Sequence, residues 1–178
     1  MKGSAVRTGF CVAAVFAVTM LCGWAQETRA ADWKPATDAE LRSVIPARAP
    51  VVQERIETEM RSASGITNGR GKYIAGVVLI TAGYSAEGKY SHFLLTQVPL
   101  KVGTDTRLAP GDYLLGYTHG ENGLSIHIYE AATGKLVGTL TAALIPGITR
   151  VEEIRIWPPD DRRIIQIGRF GFSYQIGG

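Results

Sequence analysis

Cysteine is scarce: Cys11 and Cys22 are the only two in 178 residues. An apolar run long enough to cross a membrane is missing as well. The stretch from Phe10 to Leu21 covers about a dozen residues, broken only by Thr19, where a spanning helix needs roughly 20. Lys2 and Arg7 precede that stretch and Gly23-Trp24-Ala25 follows it. A positive n-region, a short apolar core and a small-x-small site make the pattern of a secretory signal peptide. Cleavage is expected near Ala25, with a site after Ala30 as the alternative, leaving a periplasmic or secreted chain without a thiol. Disulfides, zinc–thiolate sites, CxxC redox chemistry and cysteine nucleophiles are thereby excluded for the mature chain. A lipoprotein is not expected, because Leu21 precedes Cys22 and Phe10 precedes Cys11, where a small residue is needed.

An excess of charge of one sign is also absent. The full chain has 19 basic and 16 acidic residues; Lys2 and Arg7 leave with the leader, so 17 face 16. Arg162-Arg163 is the only adjacent pair of cations and follows Asp160-Asp161. A nucleic-acid partner needs a clustered basic face, so none is expected. No long Ser/Pro/Gly linker divides the chain, which reads as a leader (1–25), an N-terminal helical and turn segment (26–71) and one antiparallel β domain (72–178). No transmembrane segment is expected in the mature chain.

Turn chemistry fills the remainder. Thr37 with Glu40 three residues later is a capping box for a short helix over about 38–45, closed by Pro46. Val52, Ile56 and Met60 recur every four residues after Pro50, with Glu57 four before Arg61, and predict a second amphipathic helix. Residues 62–71 read as turn. Strands then follow. The run 73–82 is apolar on both alternating faces, as a central strand covered on both sides should be. Further strands are expected at 89–98, 112–118 and 124–130, in a segment carrying Val137 to Thr141, and at 151–157, 163–168 and 170–176. The Asn122-Gly123 pair predicts a type I′ hairpin setting Thr118 beside His127 and Gly116 beside Tyr129. Ala132-Thr133-Gly134 predicts a three-residue turn pairing Ile128 with Gly138 and Ile126 with Leu140. The fold expected is mainly β: an antiparallel β-sandwich of about eight strands, or a small closed β-barrel, with one or two short N-terminal helices. Most runs are too short for the strands of a transmembrane barrel.

Val102-Gly103 followed by Leu108-Ala109-Pro110-Gly111-Asp112-Tyr113, and later Glu130-Ala131-Ala132-Thr133-Gly134-Lys135, resemble segments of small secreted bacterial β-sandwiches, including transthyretin-like domains. The resemblance implies the fold class and carries over no functional residue.

Catalytic motifs are near misses. Gly69-Arg70-Gly71-Lys72 lacks the first glycine and the Ser/Thr of a phosphate loop and precedes a strand, so it reads as a turn. Gly83-Tyr84-Ser85-Ala86-Glu87-Gly88 misses a nucleophile elbow by one residue and lies between strands. Three histidines, His92, His119 and His127, are the only set that could build a zinc hydrolase site, and their spacing places them apart. Glu152 and Glu153 point to opposite faces of one strand, available for pairing with Arg162 or Arg163. Trp157 before Pro158-Pro159 is expected to pack at a sheet corner, and Trp33 and Trp157 are alternative binding platforms. The candidate binding set is Thr118, His127, Tyr129 and Thr139, hydroxyls and aromatic rings sharing one sheet face suited to a sugar or peptide. No catalytic residue, metal or cofactor is assigned. The function expected is an exported binding module whose partner is a small ligand or an envelope protein. The alternatives are an assembly protein pairing through edge strands such as 170–176, and a metal-assisted hydrolase.

Overall fold

The computed structural model describes residues 33–177, so the expected leader and its cleavage site lie outside the described residues. The chain begins with β1 (Lys34–Pro35) and α1 (Asp38–Val44). Thr37 caps α1 as the sequence requires: its hydroxyl accepts from the Glu40 N–H, and the Glu40 carboxylate accepts from the Thr37 N–H at 2.8 Å. The acidic Asp38 and Glu40 in the first turn and Arg42 in the last suit the helix dipole.

The second helix does not form. Residues 48–67 make a hairpin of β2 (Arg48–Val51) and β3 (Glu54–Thr67). A spacing of four is even, so Val52, Ile56 and Met60 fit a strand's period of two as readily as a helix. Ile56 is fully buried, while Val52 occupies the turn at φ 58, its N–H donating to Ala131 O at 2.7 Å. Glu57 pairs across the hairpin with Arg48 at 3.2 Å, and Arg61 pairs with Glu59 at 3.0 Å, in place of an ion pair along a helix.

Ten strands follow in this hairpin-rich chain: β4 (Tyr73–Leu79), β5 (His92–Thr96), β6 (Leu100–Val102), β7 (Thr106–Leu108), β8 (Gly111–Gly120), β9 (Gly123–Glu130), β10 (Leu136–Leu144), β11 (Glu152–Ile156), β12 (Ile164–Gly168) and β13 (Phe170–Ile176) come after β3. The main ladder runs β1-β3-β4-β5-β8-β9-β10-β13-β12-β11, with β2 on β3 and β6 on both β7 and β13. This is one antiparallel sheet curled into a half-barrel, not a sandwich, and among the described residues it has 13 strands, not eight. The surplus comes from two- and three-residue pairings, too short to show a period, and from the hairpin just described. β13 is not an edge, since it pairs with β12 on one side and with β10 and β6 on the other.

Curling brings β11 back against β3 and β4. Ile154 Cδ1 lies where a Cβ on Gly76 would meet it at 2.5 Å, and the Ile156 N–H donates to Ser64 Oγ at 2.9 Å. The concave face encloses Ile74, Leu94, Leu115, Ile126, Ile128, Phe172 and Tyr174. The convex face of β3, β4, β5 and β8 is covered by α1, β2 and the 80–91 loop, burying Leu41, Val51, Val77, Phe93 and Leu114. β4 is thus covered on both faces, as its apolar alternation predicts.

The predicted β9–β10 register is present: Gly138 faces Ile128, Thr139 faces His127 and Leu140 faces Ile126, with Gly134 at φ 68 in the turn. An irregularity at Val137 sets Tyr129 opposite Leu136. The β8–β9 register differs by two residues. Gly120 faces Gly123, so Glu121 and Asn122 form the turn, and among the described non-glycine residues only Val52 and Arg163 have positive φ. The turn is therefore not type I′. Gly123 is required by contact instead: a Cβ there would collide with the Ala142 carbonyl oxygen.

Candidate functional site

A slip of two residues preserves the sheet face, so Thr118, His127, Tyr129 and Thr139 still point to one side. Their neighbours change. Thr118 faces Ser125, His127 faces Gly116 and Tyr129 faces Leu114. His127 Nδ1 lies 3.1 Å from Thr139 Oγ1, the one direct bond in the set. Tyr129 packs edge-on against Tyr90, with ring centroids 5.1 Å apart, beneath the Lys89 ammonium. The face is thus half occupied by the 80–91 loop, and the rest is an open sheet surface, not a cavity.

The three histidines separate. His92 and His119 point to the concave side with Tyr117 between them, at ring distances of 6.2 and 6.0 Å, whereas His127 lies on the convex side. Among the described residues no three His, Cys, Asp or Glu side chains converge as metal ligands.

His92 is nonetheless informative. Its Nε2 donates to Glu153 O at 3.1 Å, because a carbonyl can only accept, and this leaves the Nδ1 lone pair facing Ser91 Oγ at 2.8 Å. Serine beside an imidazole base has the outline of a nucleophile pair. Burial, however, lowers the imidazole pKa to about 4, outweighing the Glu153 hydrogen bond. A base that weak gives little help to a serine near neutrality, so the pair reads as a buried hydrogen-bond network. The group is neutral in the fold and protonates near the ordinary value of 6.5 when unfolded. Between those values the unfolded chain holds the extra proton, so stability falls as pH falls. From pH 7 to pH 5 this one group should cost about 2 kcal/mol of unfolding free energy. Urea unfolding across that range should show a steeper loss for the natural chain than for His92→Gln; parallel curves would refute it.

Among the described residues an open recess of about 370 Å3 adjoins Ser91, His92 and Tyr117, and three further concavities lie elsewhere. The seam between β11 and β3 forms a cleft of about 500 Å3. Its cations are already matched: Arg61 by Glu59, Arg150 and Arg155 by Glu152 at 3.1 and 3.2 Å. Glu152 thus serves Arg150 and Arg155, not Arg162 or Arg163. Beside it lies a smaller recess of about 260 Å3 around Trp157. Arg155 Cζ stands 3.9 Å and Arg162 Cζ 4.9 Å from the Trp157 ring, and its Nε1 donates to the buried Gln166 at 3.0 Å. Trp157 is therefore a fixed corner residue and not an open stacking platform.

The third lies at the end of the half-barrel where β3, β5 and β13 finish, and holds about 410 Å3. Trp33, Val98, Pro99, Pro159, Tyr174 and Ile176 give it apolar walls; Asn68, Arg163 and Gln175 supply polar groups. Its walls are rigid. The buried Tyr174 hydroxyl donates to Trp157 O at 2.6 Å, its N–H donates to Arg163 O at 3.1 Å, and the Gly177 N–H donates to Pro99 O at 2.9 Å. Burial pushes the Tyr174 phenol well above its ordinary pKa, the nearby Arg163 charge opposing. Of this set the sequence pointed only to Trp33. Tyr174 lies in a strand that the sequence predicts, but the residues that meet it come from four distant segments, and no local pattern joins them.

Comparison with protein-family models, with curated proteins and with solved structures finds no match to this chain. Among the described residues no helix is long and apolar enough to cross a membrane.

Proposed function

We propose that this chain is an exported, non-catalytic binding module that takes a small, largely apolar ligand at the mouth of its half-barrel. Export rests on the leader pattern of Lys2, Arg7, the run from Phe10 to Leu21 and Gly23-Trp24-Ala25. The observation that carries the binding reading is the pocket of about 410 Å3 walled by Trp33, Val98, Tyr174 and Ile176. Small-molecule sites are concave, mostly apolar and preformed, with a few placed polar groups. This pocket has that composition and is set on hydrogen-bonded strands. The hydroxyl face of Thr118, His127 and Thr139 has the groups without the enclosure.

A neutral probe tests the pocket alone. Naphthalene-2-carboxamide should give saturation-transfer signals with the mature chain, and Ile176→Trp, which fills the half-buried rim, should remove them. Binding that persists unchanged in Ile176→Trp would move the site elsewhere. A second reading, assembly with another chain, draws on β11, whose ladder among the described residues joins β12 alone and whose far side meets β3 through the Ile156 to Ser64 bond. Association that grows with protein concentration and is blocked by Arg155→Pro would favour it.

A further inference from the structure

Arg163 is the one charged side chain among the pocket's described lining residues. It has no carboxylate partner among the described residues, whereas its neighbour Arg162 stacks on Trp157 and lies 3.9 Å from Asp161. Its backbone is also unusual. At φ 54 it occupies the left-handed region, which glycine enters freely and a long side chain enters at a cost. The turn holds it there: its N–H donates to Pro158 O at 3.2 Å, and its carbonyl accepts from Tyr174 N–H at 3.1 Å. A cation is thus kept where glycine would suit the backbone better, its backbone anchored on both sides at a position that lines the pocket. Backbone strain of this kind collects where a side chain is used.

We propose that the ligand of this pocket is an amphipathic acid, an apolar or aromatic body with one carboxylate, its anionic end paired with Arg163 and its body lying among Trp33, Val98, Tyr174 and Ile176. The inference rests on the reading of the mouth pocket as the ligand site. A guanidinium fork matches a carboxylate through two parallel hydrogen bonds. The single positive charge among the described lining residues matches one negative charge. A doubly charged phosphate ester would carry the second into a mostly apolar cavity unpaired.

The test uses two probes of nearly equal shape, naphthalene-2-carboxylate and naphthalene-2-carboxamide, titrated calorimetrically into the mature chain. The acid should bind about tenfold tighter, the difference expected of a charge-assisted pair. Arg163→Gly should abolish that preference, so that acid and amide bind alike. Because glycine accepts the positive φ, the variant should unfold at a temperature no lower than the natural chain. Arg163→Lys should keep part of the preference. Equal binding of both probes to the natural chain, or a preference that survives Arg163→Gly, overturns the assignment of an acidic ligand and leaves the pocket reading standing. If neither probe binds, the pocket reading falls and this inference with it.

Discussion

Gly116→Ala is expected to destabilise the fold by about 3 kcal/mol, the upper end of what overpacking costs. Gly116 lies in β8 opposite His127, and a Cβ there would collide with the Lys89 carbonyl oxygen. That oxygen is backbone, so it cannot swing aside as a side-chain tip would. The 80–91 loop is itself tied down: Ser91 N–H donates to Leu115 O at 2.8 Å, and Leu79 N–H to Ser91 O at 2.9 Å. To admit a methyl group the loop must lift from the convex face, taking with it the buried Ala86 and Tyr90. Gly120→Ala on the same strand is the control. Its Cβ would meet only Gly123 O at 3.6 Å, an ordinary contact, and the change should stay within about 0.5 kcal/mol. Urea unfolding of both variants decides the matter; a loss for Gly116→Ala no larger than for Gly120→Ala would show that the loop does not rest on this glycine.

The loop on Gly116 also explains what the sequence could and could not convey. Alternation in residues 73–79 and 124–130 was legible because each strand is packed on a continuous apolar face. The Thr37–Glu40 cap and the Gly134 turn were legible because they are local chemistry. Even spacing concealed the β2–β3 hairpin: Val52, Ile56 and Met60 satisfy two periods at once, and the deciding contact, Val52 N–H to Ala131 O, is 79 residues distant. Asn122-Gly123 misled for a related reason. Gly123 is glycine because Ala142 crosses it, a tertiary demand that looks in sequence like a turn signal. The candidate site shows the same division. Thr139 and His127 could be paired from a turn and a register, while Trp33, Asn68, Val98, Arg163 and Tyr174 meet only when the sheet curls.

Gln166→Leu is expected to cost about 4 kcal/mol, because it removes the partner of the half-buried Trp157 indole N–H, of the half-buried Gly168 carbonyl and of the carbonyl of exposed Arg150, at about 1–3 kcal/mol each, softened where water can reach. Gln166 is completely buried. Its Oε1 accepts from Trp157 Nε1 at 3.0 Å, and its Nε2 donates to Gly168 O at 2.8 Å and Arg150 O at 3.3 Å. Leucine fills similar space and leaves all three unmatched. The damage should spread toward the mouth pocket along a definite route. Trp157 O is the acceptor for the Tyr174 hydroxyl, and the turn after Trp157 carries Pro159 and Arg163 to the pocket wall. A double-mutant cycle with Trp157→Phe separates the routes. If the indole bond is the main link, Gln166→Leu should cost about 1 kcal/mol less in the Trp157→Phe background, since the indole N–H is then no longer there to be stranded. Additive losses would assign the cost to the two carbonyls alone. A Gln166→Leu chain that remains folded yet binds the naphthalene probes as the natural chain does would show that the pocket wall stands independently of the Trp157 corner.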